Sequence, residues 1–232
     1  VGRTPNDLAG ALAAVSERPT PALVWRDGPE RVELSGRVLV NWVEKSAGLL
    51  VDELDVASGD TVRISPAPHW RLVVLSLAAL RVGARIEFAA DADAVLHARL
   101  EGHDDDAVAG TELVVATPAL AFACSDPLPG DAVDFCAEVR AQPDTYTGFE
   151  EPDPSAGALP SGATHGQLLS RALETASPEA VGTVFLPLDD GWGETTLLST
   201  LGIVARGGAV LLAAGPQDAT EDVLTQERAT QL

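Results

Sequence analysis

Between about Asn6 and Ser16, Leu8, Leu12 and Val15 fall on one face at helical spacing, with Asn6 and Asp7 as N-caps and Pro19 ending the run. Two short extended pieces follow, Ala22–Trp25 and Arg31–Leu34, and Arg26-Asp27-Gly28-Pro29 between them predicts a hairpin. From a Ser35 cap, Leu39, Trp42, Val43, Ala47, Leu50 and Leu54 recur as the buried stripe of a long amphipathic helix. Ser58-Gly59-Asp60 breaks that helix before a strand over Thr61–Ile64. Pro66 and Pro68 end the strand, a helix is predicted from His69 to about Val82 with Gly83 as its C-terminal cap, and Arg85–Phe88 reads as the next strand. Strand, helix, strand is the repeating unit of a mostly parallel sheet covered by helices, so the pattern predicts a layered α/β/α fold.

From Asp91 to Glu151 the alternation weakens. Ala94–Leu96 and Glu112–Ala116 are strand-like, Gly102–Asp106 and Asp126–Gly130 are loops, and Asp131–Val139 fits either element. Glu150-Glu151-Pro152-Asp153-Pro154 is an acidic, proline-rich connector. It divides a single domain over 1–232 into sub-lobes 1–149 and 155–232. Beyond it come a helix over Thr164–Thr175, a strand Thr183–Leu186, a helix Thr195–Ala205, the turn Gly207-Gly208 and a strand Ala209–Ala213. Asp218–Leu232 reads as a polar, weakly helical, exposed end.

Composition narrows the function classes. The 232 residues are 46% hydrophobic and 22% charged, enough for a real core, and the net charge of −20 opposes binding to nucleic acid or to an anionic membrane surface. Lys45 is the only lysine among 15 Lys and Arg residues, so chemistry needing a lysine elsewhere is excluded. The longest apolar run, Leu72–Leu80 between Arg71 and Arg81, falls short of the ~20 residues of a spanning helix, and the N-terminus lacks a secretory h-region. Cys124 and Cys136 are too few for a disulfide scaffold and match no zinc spacing. A soluble, cytoplasmic protein is the expectation.

Three stretches in order resemble the N-terminal part of the adenylate-forming superfamily of acyl-CoA synthetases, luciferases and non-ribosomal adenylation domains. Leu34-Ser35 opening the Trp42/Leu50 helix is similar to that family's L-[ST]-Y-x-E-L helix entry. Ser58–Ile64 resembles its G-D-x-V strand, and Leu77-Ala78-Ala79-Leu80-Arg81-Val82-Gly83-Ala84 its L-A-x-L-K-A-G-A run. Val184–Gly193 followed by Leu201–Leu212 resembles its P-L-F-H-x-x-G strand, helix and return strand. The likeness covers about residues 5–100 and 155–215, and implies a truncated N-terminal domain like that of the short stand-alone actinobacterial members.

The resemblance also implies a glycine-rich phosphate loop, roughly [ST]-S-G-[ST]-T-G-x-P-K-G followed by T-H-x-x-L. Here the corresponding stretch is Leu159–Leu169. Ser161-Gly162 match the loop's start and Thr164-His165 with Leu168 the helix after it, while the glycine-rich middle with its proline and lysine is missing. A phosphate cradle needs successive N–H donors on such a run. The family's Mg²⁺-holding glutamate, ribose-binding aspartate, hinge and later lysine have no counterpart in this sequence, and Asp189-Asp190-Gly191-Trp192 stands where the family has an aromatic-histidine pair.

Two readings of each feature stand side by side. Ser161, Gly162, Thr164 and His165 form either a shortened anion site at a helix N-terminus or a tight turn with Thr164 as N-cap. Ser161, His165 and Asp189 or Asp190 invite a nucleophile-base reading, but no G-x-S-x-G elbow is present. His97, His103 and Asp104–Asp106 lack metal-ligand spacing and read as a solvated acidic loop. His69-Trp70 could line a groove, though Trp70 and Trp42 read as core aromatics; Trp192, flanked by glycines, is the aromatic placed in a site.

The leading expectation is a degenerate synthetase homologue without autonomous ligase activity, catalytic residues, metal or resident cofactor. It keeps at most a cleft for a nucleotide or acyl carboxylate near Ser161, Gly162, Thr164, His165, Asp189 and Trp192, outside strand ends, or a protein-partner role. One alternative is a genuine adenylating enzyme using ATP or AMP with Mg²⁺ and completed by another chain; the other is a non-catalytic structural or regulatory interaction protein. The oligomeric state is left open.

Overall fold

The structure, a computed structural model, describes residues 5–103, 110–148, 151–177 and 182–231. In chain order the elements are α1 (Leu8–Ser16), β1 (Pro21–Asp27), β2 (Glu30–Ser35), α2 (Gly36–Gly48), a π-helical turn (Leu49–Glu53), β3 (Thr61–Ile64), α3 (Trp70–Arg81), β4 (Arg85–Glu87), β5 (Leu96–Leu100), β6 (Thr111–Val115), β7 (Val133–Asp134) and α4 (Phe135–Glu138). There follow α5 (Leu168–Thr175), β8 (Thr183–Phe185), α6 (Glu194–Ala205), β9 (Ala209–Ala213), α7 (Glu221–Gln226) and β10 (Ala229–Gln231). Contacts group the chain into two units, one drawn from residues 1–40, 68–70 and 166–232, the other from 41–67 and 71–165. The described part of the acidic connector, 151–154, lies within the second unit.

In the first unit the strand order is β10-β8-β9-β1-β2. All neighbours are parallel except the β1–β2 hairpin. Every residue of Ala209–Ala213 is buried, the run of small and branched apolar residues expected of a central parallel strand. Helix α6 packs on α5 so closely that a Cβ at Gly202 would sit 2.1 Å from the Ala172 carbonyl oxygen, so only glycine fits. Arg18 donates to the carbonyls of Val204 (2.7 Å), Gly207 (2.7 Å) and Gly208 (3.0 Å), a cation on the carbonyl end of α6. Trp25, His69 and Trp70 form a buried aromatic group, with Trp25 and His69 centroids 5.5 Å apart. Trp70 is thus a core residue.

The second unit holds a five-stranded, all-parallel sheet in the order β4-β3-β5-β6-β7. The strand expected at Ala94–Leu96 instead runs Leu96–Leu100. Leu-His-Ala-Arg-Leu alternates apolar and polar residues, yet all five are buried, because its polar residues have charged sheet neighbours: His97 lies opposite Arg63 and Glu112 in register, and Arg99 donates to Glu112 at 3.0 Å. Asp131–Val139 becomes both elements in turn, β7 and α4, because the Asp134 carboxylate accepts from the Cys136 and Ala137 amides and starts the helix. The long helix expected to reach Leu54 closes through the π-helical turn, with the Leu54 amide donating to Leu49.

The stretch after Asp218 is helical and largely exposed as expected, but it continues into a strand. Residues after Asp218 form α7 and then β10, which pairs in parallel with β8. The Glu227 carboxylate receives a two-pronged bond from Arg31, 2.7 Å from Nε and 2.9 Å from Nη2. Buried Asp218 accepts the Gly28 amide at 2.8 Å. An Asp and a Glu that look solvated in sequence thus anchor the end to the first hairpin.

Candidate functional site

Strand β8 leads through α6 to β9 on one side, and β9 leads through α7 to β10 on the other side of β8. Right-handed crossovers in opposite directions place their helices on opposite faces, and the loops leaving adjacent strand ends then part to leave a crevice. A cavity of about 390 Å³ lies there, outside the carboxyl ends of β8 and β9. Phe185, Leu188, Ala213 and Pro216 supply apolar walls, and Asp189 and Gln231 the polar side chains. Val24, Phe185, Leu211 and Ala213 pack as one buried cluster beneath, and the Asp218–Gly28 bond fixes the loop after β9.

The crevice offers an anionic group no charge attraction, so affinity there comes from a ligand's apolar body. Among the described residues no cation lines it, while the exposed Asp189 does. At the adjacent N-terminus of α6 the Gly193 amide donates to Thr196 Oγ1 at 2.9 Å. Trp192 is 1% exposed and does not line the crevice; its indole is a packing group at the start of α6.

Ser161, Gly162, Thr164 and His165 all belong to the second unit, whereas Asp189 and Trp192 belong to the first. Around Ser161 the chain folds back on itself. Gly157 and Thr164 bridge as antiparallel partners, the Ala158 amide donates to Ala163 at 2.8 Å, and the Gly162 amide closes a turn onto Leu159 at 2.9 Å. Gly162 takes φ +85°, in the left-handed region, with nothing within 4 Å of where a Cβ would sit. The His165 amide donates to Ala156 at 3.0 Å. Two N–H groups that an anion cradle would aim outward are therefore committed to the chain itself, and the residues present do not fit a triphosphate.

The His165 imidazole is buried, and its Nε2 has no hydrogen-bond partner among the described residues. Burial pushes its pKa below the usual histidine value, against the opposing pull of backbone bonds at Gly83 and Ala84 and of the Asp153 charge. Burial, with Asp134 and Glu101 nearby, pushes the Cys124 thiol up to about 12, and Cys136 is raised as well, so neither free thiol is a ready nucleophile. Of the acidic stretch weighed with His97 and His103, residues 104–106 lie outside the described residues; among those described, no three His, Cys, Asp or Glu side chains converge on a metal position. No helix of the described residues is long and apolar enough to cross a membrane.

No known protein-family model matches the chain. It is 27% identical over 232 residues to a TIGR03089 family protein of Mycobacterium tuberculosis, with 93% of each chain covered. In structure it matches an acyl-CoA synthetase of Brucella canis with a TM-score of 0.74 and 17% identity, over 99% of this chain and 48% of that one. It also matches the N-terminal domain of FACL13 from Mycobacterium tuberculosis, with a TM-score of 0.68 and 14% identity, over 96% of this chain and 61% of that one. The fold is that of the N-terminal domain of acyl-CoA synthetases. The chain spans about half the length of the Brucella synthetase. Within this synthetase-type fold, the crevice walls Phe185 and Leu188 fall inside the Val184–Gly193 stretch, whereas Ala213 and Pro216 lie outside every stretch that the sequence motifs singled out; their signal was position, at and just after the end of a predicted strand.

Proposed function

We propose that this chain is a small-molecule-binding domain on the synthetase fold that forms no acyl adenylate on its own. The observation that carries the reading is the turn where the resemblance places the phosphate loop: its Gly162 and His165 amides are bonded within the turn. The chain's one lysine gives no substitute, since Lys45 donates to the Gln142 carbonyl and pairs with Asp144 at 2.9 Å. The ligand seat is the crevice at the ends of β8 and β9. The free thiols fit a reducing compartment, and the cytoplasm is the proposed location.

The deciding experiment is ATP–pyrophosphate exchange with Mg²⁺ across a panel of aliphatic and aromatic carboxylic acids, run beside a thermal-shift series with ATP, AMP and the same acids. The expected result is no exchange above background, with stabilisation by a member of the panel. A ligand at 100 times its Kd adds about 2.7 kcal/mol of stability. Exchange by this chain alone overturns the proposal.

A second reading rests on the chain's spanning 48% of the Brucella synthetase: adenylation in concert with a further domain, supplied for the test as a second polypeptide. It requires exchange to appear only when that second polypeptide is added.

A further inference from the structure

The second unit holds a cavity that neither the resemblance nor the crevice explains. It measures about 440 Å³ and lies where the π-helical turn Leu49–Glu53 meets the loop 143–148. Single π-helical turns within helices recur at functional sites, and this one directly follows α2. Here Val51 and Asp52 from the turn line the cavity, together with Val56, Ser58, Val82 and Tyr146.

Its walls are built. Lys45 holds the loop through the Gln142 carbonyl and Asp144, and the Glu44 carboxylate accepts the Tyr146 amide at 2.9 Å. The Arg81 guanidinium sits 5.6 Å from the Tyr146 ring centroid and pairs with Glu44 at 3.3 Å. Both cations of this region, Lys45 and Arg81, are thus engaged by carboxylates. Among the described residues Asp52 forms no ion pair, and it is the one carboxylate among those that line the cavity. The site combines a valine wall, a phenol ring and a single anion, a combination that suits a cation carrying an apolar body.

We propose that this cavity binds small organic amines, with the ammonium group at Asp52 and the apolar body against Val51, Val56, Val82 and Tyr146. A carboxylate of the same shape meets the Asp52 charge and is rejected. The raised pKa of the Tyr146 hydroxyl, due first to burial and in part to the Asp52 charge, agrees with a carboxylate acting on this space. Most of the lining is open to solvent, so the expected Kd is millimolar.

Tyr146 is the only tyrosine, so fluorotyrosine labelling of the full chain gives one reporter at the site. Titration with 2-phenylethylamine is expected to move that ¹⁹F signal saturably, while 3-phenylpropionate at equal concentration does not. Asp52→Asn, at an exposed position, is expected to keep the thermal midpoint and weaken amine binding at least fivefold. Equal shifts with the two probes, no saturable shift with the amine, or unchanged amine binding in Asp52→Asn each overturns the proposal.

Discussion

After β8 the chain leaves Leu188 and Asp189 over an open crevice at the strand ends, whereas between Gly157 and His165 it doubles back and bonds its own amides. Both stretches carry the residues that the resemblance to synthetases draws attention to. The first is open because crossovers leaving β8 and β9 diverge, a property of the sheet and not of the residues in the loop. The second is closed because Pro160, Gly162 and Ala163 favour a compact turn once the glycine-rich run is missing. A few residues of loop length therefore separate an anion cradle from a structural hairpin.

The contrast can be tested from the scaffold outward. Gly202→Leu drives a side chain into the Ala172 backbone and is expected to destabilise the chain by about 3 kcal/mol in urea unfolding, since neither helix can give way cheaply. A loss below about 1 kcal/mol would show that α5 and α6 do not hold the crevice strands rigidly. Gly162→Ala meets no neighbour, so its expected cost is only that of a left-handed alanine, about 1 kcal/mol, with no change in nucleotide affinity. A drop in AMP affinity in this variant would restore the cradle reading.

His165 gives a pH signature of the closed turn. Its folded pKa lies below the unfolded value near 6.5, so the unfolded chain binds the proton more readily. The associated stability is present above the unfolded pKa and is lost as pH falls from there through the folded pKa. Urea midpoints are expected to decline on acidification below about pH 6.5, and to decline less steeply in His165→Gln. Identical slopes in the two proteins would mean that the imidazole is not held neutral by burial. The smallest effect is at Asp189, an exposed residue: Asp189→Asn is expected to change stability by less than about 0.5 kcal/mol. It should strengthen binding of AMP at low salt a few-fold by removing like charge from the crevice. Unchanged AMP binding would separate Asp189 from the ligand seat.

Much of the fold was legible because strongly periodic segments bury what their pattern says they bury. Strands β3 and β9 occupy the residues their patterns predicted, and α3 and α6 match to within a residue or two. Strand β5 was displaced although Leu-His-Ala-Arg-Leu alternates apolar and polar residues, and β10 was missed because the three residues Ala-Thr-Gln are too few to show a pattern and are fixed by pairing with β8. The site was only partly legible. Asp189 lines the crevice, but Trp192 is packed away, and the Ser161–His165 residues lie in the other unit.

By itself the sequence determined the α/β class, the order of its main elements, the acidic charge and the single lysine, all properties of local pattern or of simple counting. Tertiary structure decided which loops are open and which are closed, because that depends on where crossovers carry the chain and on which amides already have partners. It also decided that Lys45 serves as a clamp on the 142–144 segment, a role set by a carbonyl and a carboxylate about a hundred residues away.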